Sequence, residues 1–149
     1  MLSFFVVLLI IVLDQLTKYL AFVHLHLGAP ISVIGDFIEL TYVENLGAAF
    51  GILKGHTWVF LIAAIFFIIA FGWFMFSNKK LKTGEKIGAS MVLGGTIGNL
   101  IDRIRIKGVI DFIYLRNFSV FNLADCAIIV GFIILVFYML FSVKQRKEK

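Results

Sequence analysis

The chain has 149 residues, of which 61% are hydrophobic and 15% charged, and its mean hydropathy is +1.02. A soluble domain of this size cannot hide so much apolar surface, so the composition excludes a water-soluble protein and implies one embedded in a membrane. The formal charge of +5 does not point to nucleic acid, because the basic residues gather beside apolar runs, in Asn78–Lys86 and Lys144–Lys149, where such clusters set membrane orientation.

The first apolar run covers residues 2–22, close to the ~20 residues that a spanning helix needs. It lacks a basic start and a small-residue cleavage site, so it is expected to be a retained helix rather than a signal peptide. Asp14 and Lys18 stand four apart on one of its faces, where they can neutralise each other. His24 and His26 follow without a carboxylate at helical spacing, and they are assigned to the membrane interface rather than to a metal. "ISVIGDFIELTYVEN" predicts a hairpin around Gly35–Asp36, with strand structure over 31–43. After "NLGAAFG" (Asn45–Gly51), the second span covers 57–76. The third covers 87–104 and is glycine-rich; Gly94 and Gly98 permit close approach of a neighbouring helix. It ends on Asn99, Asp102 and Arg103, spaced to form a polar network that pins helices. A second hairpin is predicted over 104–115, around Lys107–Gly108, and it carries Asp111. The fourth span, 120–143, opens with Asn122 and Asp125 in the spacing of a capping box. The single cysteine, Cys126, excludes an intrachain disulfide and has no evident histidine partner for nucleophilic chemistry. The expected architecture is one domain, 1–149: a mainly α, four-helix transmembrane bundle with a small β-hairpin cradle on its outer face.

Four spans put both termini and the loop between the second and third spans on one side. Eight lysines and arginines lie there, against Lys54, Arg105, Lys107 and Arg116 opposite, which makes the first side cytoplasmic. Depth can be counted at ~1.5 Å per residue across ~30 Å of hydrocarbon. Asp14 and Asn99 then sit ~18 Å from the inner face, and Lys18 and Arg103 ~24 Å. Asp125 lies ~7 Å below the outer face and Asn122 ~3 Å. Three helices thus deliver polar side chains to the same outer third of the bilayer. Buried charge there costs several kcal/mol, and its convergence marks a site. Asp111 and Asp125 are 14 residues apart, close enough for the intervening loop to fold back and bring them together. Two carboxylates in contact share one proton, so one can act as base and the other as acid. The residues alone therefore point to a membrane hydrolase of aspartic type. A proton or ion relay is the competing class, but it needs polar residues through the whole membrane, and the second span offers none beyond Thr57. A purely structural subunit leaves the two aspartates unexplained.

Five blocks in order, "DQLTK" (Asp14–Lys18), "NLGAAFG", "GGTIGNLIDR" (Gly94–Arg103), "VIDF" (Val109–Phe112) and "FNLAD" (Phe121–Asp125), resemble the lipoprotein signal peptidases (signal peptidase II). The likeness covers nearly the whole chain. It implies that Asp111 and Asp125 are catalytic and that Asn45, Gly47, Asn99, Arg103, Asn122, Asp14 and Lys18 belong to the substrate site. The implied substrate is a prolipoprotein whose cysteine carries a diacylglyceryl thioether, cut on the N-terminal side of that cysteine. The resemblance further implies inhibition by globomycin. No metal and no other cofactor is expected, and the expected partners are the substrate and membrane lipids, with the protein acting as a monomer in the bacterial cell membrane.

Overall fold

The computed structural model describes residues 1–47, 55–78 and 80–147, with side chains as far as 140. Gly51 of the glycine-rich block, and Lys54, Lys79 and Lys149 of the charge count, lie outside the described residues. The elements run α1 (Leu2–Leu25), β1 (Ile31–Ile34), β2 (Ile38–Asn45), α2 (Thr57–Ser77), α3 (Thr83–Ile106), β3 (Val109–Leu115), β4 (Val120–Phe121) and α4 (Leu123–Lys147). Three of the four helices are long and apolar enough to cross a membrane: Leu2–Leu25, Thr57–Ser77 and Leu123–Leu140. Their large side chains face outward, among them Phe4, Phe66, Ile69, Trp73, Phe132 and Ile133. That is the inverse of a soluble bundle and suits a hydrocarbon solvent.

α3 fails the hydropathy test for the reason that makes it central. Its glycines, Asn99 and Asp102 are buried against neighbours rather than turned outward, and it packs on α1, α2 and α4. A side chain at Gly98 would collide with Asp14 of α1, and one at Gly88 would stand 2.6 Å from the carbonyl oxygen of Gly131 in α4. Close backbone contact replaces side-chain packing there. α2 is the contrary case: Ala64 is its one buried residue.

The strands form one antiparallel sheet in the order β1-β2-β3-β4, all at one end of the bundle. Phe112 of β3 packs with Ala21 and Leu25 of α1, and Leu40, Tyr42 and Ile113 close over them. The expected first hairpin forms, extended by two residues to Asn45. The second does not. Residues 104–106 remain helical, and Lys107 ends α3 in the left-handed conformation (φ 60°). β3 pairs instead with β2 on one side and β4 on the other. The alternation Ile-Arg-Ile is compatible with either state. Helical continuation keeps Asp102 and Arg103 turned inward, and the Thr57 hydroxyl donates to the Lys107 carbonyl (2.7 Å), tying α2 to this corner. Val120 and Phe121, expected within the last span, belong to β4.

Candidate active site

The site begins at the first turn of α4. Its opening amide groups need acceptors, and Asn122 Oδ1 accepts from the Asp125 N–H at 2.9 Å while Asp125 Oδ2 faces the Asn122 N–H at 3.4 Å. This is the capping box expected from the spacing. Capping uses one carboxylate oxygen of Asp125; the other, Oδ1, accepts from Asn99 Nδ2 of α3 at 2.8 Å.

β3 delivers Asp111. Where β2 pairs with it, the register slips by one residue between Leu40 and Val43, which places Val43 opposite Asp111; such bulges commonly re-aim side chains beside active sites. Asn45, at the end of β2, donates to Asp111 Oδ2 (2.9 Å), and Asn122 donates to Asp111 Oδ1 (2.6 Å). Gly47 is buried and donates its backbone N–H to Asn45 Oδ1 (3.0 Å), which fixes the orientation of that amide. Asp111 is only 2% exposed. Burial pushes its carboxyl up to about 6; the hydrogen bond from Asn45 opposes this, the charge of Asp125 adds to it, and the bond from Asn122 opposes it again.

Asp111 and Asp125 line one cavity of about 270 Å³, together with Asn45, Gly47, Asn99, Arg103 and the β4 region from Phe118 to Phe121. Neither aspartate joins an ion pair among the described residues. Arg103 donates to the Asn99 carbonyl (3.2 Å), and its guanidinium lies 5.0 Å from the centre of the Phe60 ring. A second, larger cavity of about 580 Å³ opens between α2, α3 and α4. It shares Asn99, Arg103, Asp125 and Ile129 with the first and is otherwise almost wholly apolar, with Phe60, Phe67, Phe71 and Phe132 on its walls. An apolar trough therefore ends at a pair of carboxylates.

Behind the pair lies a second polar cluster. Lys18 Nζ meets Asp14 at 2.9 Å, Asp102 at 2.8 Å and Asn99 Oδ1 at 2.9 Å, which uses all three of its donors. Asp14 Oδ1 accepts the Ala124 N–H (3.0 Å), so a carboxylate of α1 caps α4. Asp102 accepts from the Ile110 N–H (3.3 Å) and from Gln15 Nε2 (3.1 Å). Asp14 and Lys18 are 0% and 2% exposed and border neither cavity. The role in substrate contact that the resemblance implied for them is thus not available in this arrangement. Gln15 was missed in the sequence. Its signal was weak: a single neutral amide between Asp14 and Leu16. His26, the C-cap of α1, packs edge-on against Tyr42 with ring centres 4.8 Å apart.

Comparison with known proteins relates the chain to one family. The family model described as signal peptidase (SPase) II matches residues 6–141. A lipoprotein signal peptidase of Bacillus velezensis is 38% identical over all of both chains. That of Halothermothrix orenii is 37% identical over 91% of this chain and 93% of its own, and that of Clostridioides difficile 38% identical over 95% and 96%. Among solved structures, a bacterial membrane enzyme determined by the in meso method superposes with a TM-score of 0.90 at 31% identity, covering 99% of this chain and 92% of that one. A second superposes with a TM-score of 0.83, also at 31% identity, over 93% and 92%.

Proposed function

This chain belongs to the signal peptidase II family, a family of membrane peptidases that remove signal peptides from prolipoproteins, and from that premise we propose that it is an aspartic endopeptidase working within the membrane. The observation that carries this reading is the placement of Asp111 and Asp125 on one cavity at the end of an apolar trough. The ionised aspartate takes a proton from water as the water oxygen bonds to the scissile carbonyl carbon. The protonated partner gives its proton to the carbonyl oxygen. As the tetrahedral intermediate collapses and the C–N bond breaks, the amine leaves with the proton taken from water, one hydroxyl of the intermediate returns its proton to the other aspartate as the carbonyl re-forms, and the dyad again holds one proton. Arg103 and the amides of Asn45 and Asn99 stand where donors to substrate carbonyls are needed.

The trough supports the substrate's chemistry too. Its phenylalanines suit a signal helix and acyl chains, and Asp125 at its end suits a bond close to the lipidated cysteine. Cleavage on the N-terminal side of a diacylglyceryl cysteine follows, with globomycin as an expected inhibitor. All the groups named come from one chain, which supports action as a monomer. The basic runs at the end opposite the sheet support cytoplasmic termini, with the dyad near the outer face and α3 as a fourth span.

The test is cleavage of a purified diacylglyceryl prolipoprotein in vesicles. The lipidated form is expected to be cut, and the same precursor with an unmodified cysteine to lose most of its turnover at saturation, because docked lipid fixes the scissile bond against the dyad. Equal rates would leave the lipid as an anchor only.

A further inference from the structure

The dyad is surrounded by asparagines, and an asparagine can present either its NH₂ or its oxygen to a carboxylate. Here each is held by a neighbour of one polarity. Asn45 Oδ1 is taken by the Gly47 N–H, and Asn122 Oδ1 by the Asp125 N–H. Both amides therefore turn their NH₂ toward Asp111. The third, Asn99, has no backbone N–H to orient it among the described residues. Its Oδ1 faces Lys18 Nζ at 2.9 Å, and Asn122 Nδ2 at 3.2 Å. An ammonium group has donors only, so the Asn99 oxygen must face it and the NH₂ must face Asp125.

We propose that Lys18 is a positioning residue of the peptidase: it orients the Asn99 amide so that its NH₂ is presented to Asp125 Oδ1. Lys18 touches neither cavity, so it acts through Asn99. The consequence for the chemistry is specific. Asp125 Oδ1 must keep a lone pair toward Asn99, as both oxygens of Asp111 do toward Asn122 and Asn45. The one dyad oxygen without a short amide contact is Asp125 Oδ2, which meets the Asn122 N–H at 3.4 Å. The Asn99 bond and the capping bond together fix the plane of the Asp125 carboxyl on the cavity it shares with Asp111.

This inference rests on the aspartic reading of the site, and its test has a readout that does not depend on activity. Replacing Lys18 alone leaves two buried carboxylates without a cation and endangers the fold. The paired change Lys18→Met with Asp102→Asn keeps the cluster at one net negative charge, with Asp14 as its carrier. In asparagine-labelled protein in micelles, the Asn99 side-chain NH₂ resonance is identified by its loss in Asn99→Asp. Its proton, shifted downfield by Asp125 in the wild type, is expected to move upfield in the paired variant. Turnover of the diacylglyceryl prolipoprotein should fall roughly 10- to 100-fold in kcat, the range for one hydrogen bond to a charged group, with KM changed less than threefold. Asn99→Asp, which keeps an oxygen toward Lys18 but replaces the donor with a carboxylate oxygen facing Asp125, should lose kcat at least as much while remaining folded. An unmoved NH₂ resonance with kcat within twofold of wild type, or an Asn99→Asp enzyme with more than half the wild-type kcat, overturns the proposal. Both results leave the dyad standing, whereas activity retained by Asp111→Asn and Asp125→Asn would remove the catalytic reading with the amide orientation untouched.

Discussion

The molecule holds two polar clusters made from nearly the same parts, joined at Asn99, and they behave as opposites. Around Lys18, two carboxylates share one cation, every donor is used, and neither of the two cavities reaches the group. Around Asp111, the hydrogen bonds to the two carboxylates come only from amides among the described residues, Arg103 shares their cavity without an ion pair to either, and that cavity reaches both. The first arrangement neutralises buried charge and ties α1, α3 and the start of α4 together. The second leaves charge under-compensated, and a carboxyl held up near 6 is the result. Burial of a carboxylate is thus structural or reactive according to whether a cation accompanies it.

The largest expected effect separates the two functions. Asp111→Asn and Asp125→Asn should each lower cleavage by ~10²–10⁴-fold, the usual contribution of a general acid or base, while the protein still inserts and folds. More than about a tenth of wild-type activity in either variant, measured on purified protein, is inconsistent with acid–base catalysis by the pair.

Next comes the contrary lesion. Lys18→Met, without a compensating change, leaves Asp14 and Asp102 buried beside each other with no cation, and breaking a buried pair in this way costs about 3–5 kcal/mol. Low yield and early thermal unfolding in detergent are expected. If the variant unfolded at the wild-type temperature, the Lys18 cluster would carry no stability and the contrast would collapse.

The pH dependence sharpens the comparison further. The Asp111 carboxyl is raised from 3.8 to about 6 in the folded state. Its contribution to stability is therefore complete below the unfolded value and is lost as pH rises through about 6. Asp111→Asn should for that reason stabilise the protein above pH 6, by on the order of 3 kcal/mol, although it destroys catalysis. In the wild type, kcat/KM should decline as pH rises past about 6, because the fully ionised pair has no proton to give. Asn45→Ala removes a hydrogen bond that favours the ionised form, so this limb should move to higher pH. A limb that moves down, or does not move, would show that Asn45 is not bonded to Asp111 in solution.

The smallest effect belongs to an exposed ion pair. Arg116 and Asp36 meet at 3.5 Å on the exposed rim of the sheet, with side chains 56% and 84% exposed. Arg116→Ala should change stability by no more than ~0.5 kcal/mol and leave cleavage unaltered. A larger loss of activity would mean that this rim takes part in holding the substrate.

The sequence alone determined the features that repeat locally. Runs of about twenty apolar residues can be satisfied only as helices in lipid, so the spans could be placed without any tertiary knowledge. The capping pair Asn122–Asp125 and the spacing of Gly94 and Gly98 that permits a close approach follow in the same way, since each is a pattern within one or two turns. Depth counting brought Asp14, Lys18, Asn99, Arg103, Asn122 and Asp125 to one level because a helix has a fixed rise. The tertiary structure decided the rest. Residues 104–106 could be strand or helix by pattern, and their helical state rests on contacts made by Asp102 and the corner at Lys107. β2 and β3 pair across more than sixty residues of chain, as in the Asn45–Asp111 contact, and no local period reports such a partner. Whether a buried charge is paired depends on which helix faces it. The composition of "DQLTK" could therefore announce Asp14 and Lys18 as costly residues. Only the packing of α1 against α3, close because Gly98 has no side chain to hold them apart, could make Lys18 the neighbour of Asn99 rather than of the substrate.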